Sequence, residues 1–147
     1  MSTTLNITAA DLVAAAKKEI TEYLAVEVIP RLEDETVVIV DLRDVRERER
    51  SGFIPGSFHC PRGMAEFWVD PQSPYHKPIF AESRQFIFHC ASGWRSALTV
   101  KTLQDMGMQN IAHISDGFTG WQAAGGPIEH GPCLLYTSDA ADERSSV

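Results

Sequence analysis

Residues 85–107 read QFIFHCASGWRSALTVKTLQDMG, and this stretch decides the fold. Gln85 to His89 reads as a central strand whose apolar residues suit burial on both faces. Cys90 follows at the strand end, then a short loop containing Gly93, and then a helical pattern from Ser96 to Met106 that Gly107 stops. A cysteine at such a junction lies where backbone N–H groups and the positive end of a helix converge, a setting that favours thiolate over thiol. Gly93 lets the loop curl, so that the N–H groups of Ala91, Ser92, Gly93, Trp94, Arg95 and Ser96 can surround the sulfur as a nest. The bland alternative is an inert thiol behind a strand. Loop glycine and helix start together favour a nucleophile.

Working outward, the β-branched run Val37–Val40 is a second strand of the buried, parallel type, and it leads into Asp41. Asp41 and Cys90 then share the carboxyl edge of the sheet, where open parallel sheets bind ligands. Ser57–Cys60 and Asn110–Ile114 are further short strands. Thr8 to about Leu24 reads as one amphipathic helix, with Leu12, Ala15, Ala16, Ile20 and Leu24 on its apolar face and Thr8 or Asn6 as its cap. Arg43–Arg50 reads as a solvated helical turn in which Arg43 and Glu47, at i and i+4, form a structural ion pair. Residues 61–84 form a Pro-rich, packed connector anchored by Phe67, Trp68 and Tyr75. Phe118, Trp121 and Ala124 suit one face of a last short helix. Strands alternating with helices give an α/β fold with a doubly wound, mainly parallel central sheet.

A chain of 147 residues supports one well-buried domain, and 44% apolar with 22% charged residues is an ordinary globular composition. A net charge of −7 with no basic stripe argues against nucleic acid as a partner. It does not exclude a small anion held by a local cradle of N–H donors. The three cysteines, Cys60, Cys90 and Cys133, are widely spaced and odd in number, so free thiols in a reducing compartment are expected rather than a disulfide framework. No secretory signal and no apolar run of bilayer length is visible, which sets cytoplasmic as the expected location and no membrane as a partner. The stretch CLLYTSDAADERSSV, Cys133–Val147, breaks the preceding pattern; we set residues 131–147 apart as a non-native or disordered tail and assign Cys133 no chemistry.

Three segments together resemble the single-domain rhodanese (sulfurtransferase) family of bacterial type. They are VDLRDVRERERSGFIPGS at residues 40–57, the loop CASGWRS at 90–96, and DGFTGW with AGGP at 116–127. The likeness spans roughly residues 8–130. It implies a persulfide on Cys90, formed from thiosulfate or another small anionic sulfur donor and passed to a thiol or cyanide, with a sulfur-relay protein as a further partner and no cofactor. Covalent catalysis would split the transfer into two steps, with the loop amides holding the negative sulfur in both. A persulfide carrier that serves a partner without turnover uses the same chemistry. Phosphatases and arsenate reductases on this fold form a third class, but they place five residues between Cys and Arg. Here only four separate Cys90 from Arg95, a ring better sized for one sulfur atom. The departures are Phe53, where relatives commonly carry His, and Asp116, where Gly is usual.

Several residues carry more than one reading. Arg95 either attracts the donor anion or braces the loop through a carboxylate, and we read it as attracting the donor. Asp41 either anchors the loop, through its N–H groups or Arg95, or is a local turn residue. Trp94 either walls the pocket mouth or packs on the connector aromatics. Cys60 reads as a buried apolar thiol more than as a second reactive one. The pairs His59-Cys60 and His89-Cys90 raise zinc, but adjacent strand residues point to opposite faces, and no metal is assigned.

Overall fold

The computed structural model describes residues 4–131. The tail from 132 onward, Cys133 included, lies outside the described residues. Five strands, β1 (Glu22–Tyr23), β2 (Val37–Asp41), β3 (Phe58–His59), β4 (Gln85–His89) and β5 (Ile111–Ile114), form one sheet in the order β1-β5-β4-β2-β3. Every pairing is parallel. The carboxyl ends of β2, β3 and β4 therefore lie together, with Asp41 in register with His59 on one side and His89 on the other. Helices α1 (Ala9–Lys17), α2 (Ala25–Val28), α3 (Val45–Ser51), α4 (Ala65–Val69), α5 (Trp94–Asp105) and α6 (Gly117–Ala123) complete the fold. None of the described helices is long and apolar enough to cross a membrane.

Two apolar layers sandwich the sheet, which is why its central strands carry no polar alternation. On one face Val38, Val40, Phe86 and Phe88 pack with Val100 and Leu103 of α5 and with Phe80 of the connector. On the other, Val37, Ile39, Ile87 and Ile114 pack with Val28 of α2 and with Phe118 and Trp121 of α6. At the end of α5, Gly107 takes φ +104°, and its N–H and that of Met108 close onto Gln104 and Leu103, the glycine-terminated motif expected there.

The region from Thr8 to Leu24 differs from expectation. The single helix over 8–24 is instead α1 followed by the edge strand β1, with α2 beginning only at Ala25. Thr8 does cap α1, exchanging hydrogen bonds with Asp11, but the helix stops at Lys17. Thr21 and Tyr23 then accept N–H bonds from His113 and Ser115, so pairing with β5 overrides the local helical period. The buried face of α1 is Val13 and Ala16, which meet Ala97; Leu12, Ala15 and Leu24 are exposed. Ala124 likewise faces solvent just beyond α6. In the connector, Trp68 and Phe80 pack edge-on against Phe58, whereas Phe67 and Tyr75 are exposed and touch each other.

Candidate active site

Cys90 leaves β4 with its side chain buried to 1% exposure. Its Sγ accepts N–H bonds from Gly93 at 3.2 Å and Ser96 at 3.4 Å, and the Ser96 hydroxyl lies 3.6 Å away. The orientation of these amides has a local cause. The carbonyls of Cys90 and Ala91 accept the N–H groups of Phe118 and Thr119 from the first turn of α6, at 2.8 and 3.1 Å. With its carbonyls drawn toward α6, the loop turns later N–H groups inward to the sulfur. Gly93 takes φ +99°, and a Cβ there would collide with the Ser115 carbonyl oxygen. Gly117 takes φ +60° and presses against the Ala91 carbonyl in the same way. Two glycines thus fix the approach of the loop after β5 to the sulfur loop.

Arg95 is a brace. Its two terminal nitrogens donate to the two carboxylate oxygens of Glu47 at 2.8 and 3.0 Å, a bidentate pair that also holds the Glu47 carboxyl below its usual range. Of the two readings of Arg95, this pairing is the carboxylate brace, and it replaces the expected Arg43–Glu47 pair. Glu47 is placed by the start of α3, where Asp44 accepts the Glu47 N–H and Glu47 accepts the Asp44 N–H.

Arg43 and Arg48 are buried, against the expectation of a solvated turn. Both point at Asp41. Arg43 binds it through Nε at 3.1 Å and Nη2 at 2.9 Å, and Arg48 through Nη1 at 2.8 Å. Asp41 also accepts the Arg43 N–H at 3.0 Å, so the local-turn reading holds and neither loop N–H groups nor Arg95 are its partners. Arg43 donates to the Gly52 carbonyl and lies 4.0 Å over the Phe118 ring; Arg48 lies 4.5 Å over Phe53. Burial alone would raise the Asp41 carboxyl, but His89, Arg43 and Arg48 outweigh it and bring the pKa down to about 2. His89 sits 3.8 Å from Asp41, and burial lowers its own pKa, so at neutral pH the arginines carry that stabilisation. The Asp41 cluster supports the site from below: through Phe118 it reaches the helix that holds the Cys90 carbonyl.

Trp94 is 51% exposed at the first residue of α5. Cys60 is fully buried in the apolar layer, and burial pushes its thiol up to about 12, which removes it as a second nucleophile. His59 donates from Nε2 to the Arg43 carbonyl at 2.6 Å. Asp116 stands where glycine is usual and accepts the Ala25 N–H at 2.8 Å, tying α2 to the loop before α6.

Two residues joined to Ser96, namely His113 and Glu22, escaped sequence reasoning. The Ser96 hydroxyl lies 2.7 Å from Nδ1 of His113, which is wholly buried on β5 and whose Nε2 lies 2.8 Å from a Glu22 carboxylate oxygen. The signal was a lone polar residue in the otherwise apolar strand IAHI, since a buried imidazole requires partners. Its partner on β1 was hidden by reading that strand as helix.

Comparison with known proteins agrees with this architecture. A solved structure from Rhodopseudomonas palustris, described as a protein of unknown function and possible tyrosine phosphatase, is 51% identical, with a TM-score of 0.85 over 88% of this chain and 99% of that one. The dual specificity phosphatase Cdc25 of Arabidopsis thaliana is 28% identical over 78% of this chain and 81% of its own length. The thiosulfate sulfurtransferase GlpE of Pseudoalteromonas translucida is 31% identical over 63% of this chain and 80% of its own length. The family model for the rhodanese-like domain matches residues 24–124, from the start of α2 to the end of α6 and so across the whole Cys90 loop; the chain belongs to the rhodanese-like domain family.

Proposed function

We propose that the protein is a sulfurtransferase that carries a sulfane sulfur on Cys90. The observation that carries this reading is the loop itself: two amides and a hydroxyl converge on one buried sulfur within a ring of only four residues between Cys90 and Arg95. Such a ring offers donors to a sulfur anion and to one further sulfur atom bound to it. In the first step the Cys90 thiolate attacks the outer sulfur of thiosulfate. The new S–S bond leaves a persulfide on Cys90, and sulfite departs with the electron pair of the broken bond. In the second step a thiolate or cyanide attacks the outer persulfide sulfur and releases the Cys90 thiolate. The loop amides face the negative sulfur in both steps.

A phosphatase reading is favoured by the names of two relatives. Against it stand the short ring and an Arg95 guanidinium already held by Glu47. Side-by-side steady-state assays distinguish the readings. Sulfurtransferase function gives sustained thiocyanate from thiosulfate and cyanide with negligible hydrolysis of an aryl phosphate. Aryl phosphate turnover without thiocyanate would instead assign a phosphatase. One stoichiometric persulfide with no sustained thiocyanate would assign a carrier that requires its partner.

A further inference from the structure

We propose that Ser96, His113 and Glu22 form a proton relay that takes the Cys90 proton onto His113, held by the Glu22 carboxylate, when the thiolate forms and returns it when the thiol re-forms. This rests on the reading of Cys90 as the nucleophile.

The chain of contacts is continuous: Cys90 Sγ to Ser96 Oγ at 3.6 Å, Ser96 Oγ to His113 Nδ1 at 2.7 Å, and His113 Nε2 to Glu22 Oε2 at 2.8 Å. Each link comes from a different element. Ser96 is in the first turn of α5, His113 is on β5, and Glu22 is on the edge strand β1, in register with His113. Cys90, Ser96 and His113 are buried, whereas Glu22 is partly exposed and paired with Lys17 of α1. Lys17, Glu22 and Ser96 are the charged and polar groups that α1, β1 and α5 turn toward the imidazole or its carboxylate partner. The chain of contacts thus starts at the buried sulfur and ends at a partly exposed carboxylate on the edge strand.

Hydrogen-bond inventory fixes the proton positions. With Glu22 ionised, Nε2 of neutral His113 carries the proton and donates it, leaving Nδ1 to accept the Ser96 hydroxyl. The Ser96 oxygen then presents lone pairs to Cys90, suited to accept from its S–H. When the thiol proton passes to Ser96, the serine proton moves to Nδ1, and the S–H electron pair stays on sulfur. His113 becomes an imidazolium against the Glu22 carboxylate. Its Nδ1–H now donates to Ser96, so the hydroxyl proton turns to the thiolate. Burial lowers the His113 pKa and keeps the imidazole unprotonated at rest, while the Glu22 carboxylate favours the imidazolium once the proton arrives. His113 and Glu22 are positioning residues, since neither touches the sulfur.

The test is the pH profile of Cys90 alkylation by iodoacetamide in the full chain, with Cys133→Ser as background. Buried Cys60, whose thiol lies at about 12, contributes nothing near neutrality. His113→Gln and Glu22→Gln are each expected to slow alkylation near pH 7 about tenfold, equivalent to a midpoint about one unit higher. The Glu22 variant changes a partly exposed edge residue and keeps the test informative if His113→Gln fails to fold. A folded variant of either kind with the parental profile overturns the relay. Alkylation needs no sulfur donor, so the two readings fail separately. Shifted profiles in a protein that transfers no sulfur sink the proposed function alone, and parental profiles in one that does sink the relay alone.

Discussion

Arg95 and Glu47, far apart in sequence, clasp each other through two hydrogen bonds of 2.8 and 3.0 Å and join the helix behind the sulfur loop to the helix behind β2. Both side chains are part-buried, so the pair is worth little as raw stability, about 1 kcal/mol or less. Its value is positional, because a loop that must present amides to one atom gains most from a fixed geometry. Arg95→Lys keeps the charge and loses the fork. We expect it to lower kcat/KM about tenfold, a change of about 1.4 kcal/mol, with the loss mainly in kcat. Steady-state kinetics with varied thiosulfate decides the matter. A rise in KM alone would restore donor attraction as the role of Arg95.

Asp41→Asn should be among the most damaging single substitutions in the molecule. It leaves two buried guanidinium groups facing a neutral amide, and breaking a buried pair from one side costs about 3–5 kcal/mol. Urea unfolding of the variant measures this. A loss below about 1 kcal/mol would mean that Arg43 and Arg48 find water instead of Asp41.

Acid should destabilise the fold in two stages. His89 and His113 are held neutral by burial, so the unfolded chain binds protons first below their ordinary value of 6.5, and stability declines from there downward. Asp41 ionises at about 2 in the fold against 3.8 in the unfolded chain. Its contribution is complete above 3.8 and is lost as pH falls toward 2, on the order of 2 kcal/mol. Urea titrations across this range should show both declines. Stability flat from pH 6.5 to 4 would rule out the buried neutral histidines.

Gly93→Ala tests the loop geometry. The position combines a left-handed backbone, costing about 1–3 kcal/mol for other residues, with a direct collision against Ser115. We expect a fall of several degrees in Tm together with loss of sulfur transfer. Parental activity in this variant would show that sulfur transfer does not require the glycine-specific backbone and the close approach to Ser115 at this position.

The central parts of this fold were legible because local signals and tertiary context agree there. Val37–Val40 and Gln85–His89 are strands by composition and by burial, and Gly93 and Gly107 punctuate where backbone conformation demands it. Cys90 was legible for the same reason. What escaped was long-range. Whether Arg43 and Arg48 are solvated or buried depends on Asp41 standing between them at the end of β2, and charge spacing along a helix carries no such information. The Asp44–Glu47 capping box was readable; that Glu47 also receives Arg95 was not. Tyr23 is strand only because Ser115 offers it an N–H.

The central claim is that Cys90 holds the transferred sulfur. Intact-mass spectrometry after incubation with thiosulfate, under non-reducing conditions, tests it most directly. The account predicts a gain of one sulfur atom that cyanide removes and that is absent in Cys90→Ser. An equal gain in folded Cys90→Ser would place the sulfur elsewhere and contradict the account.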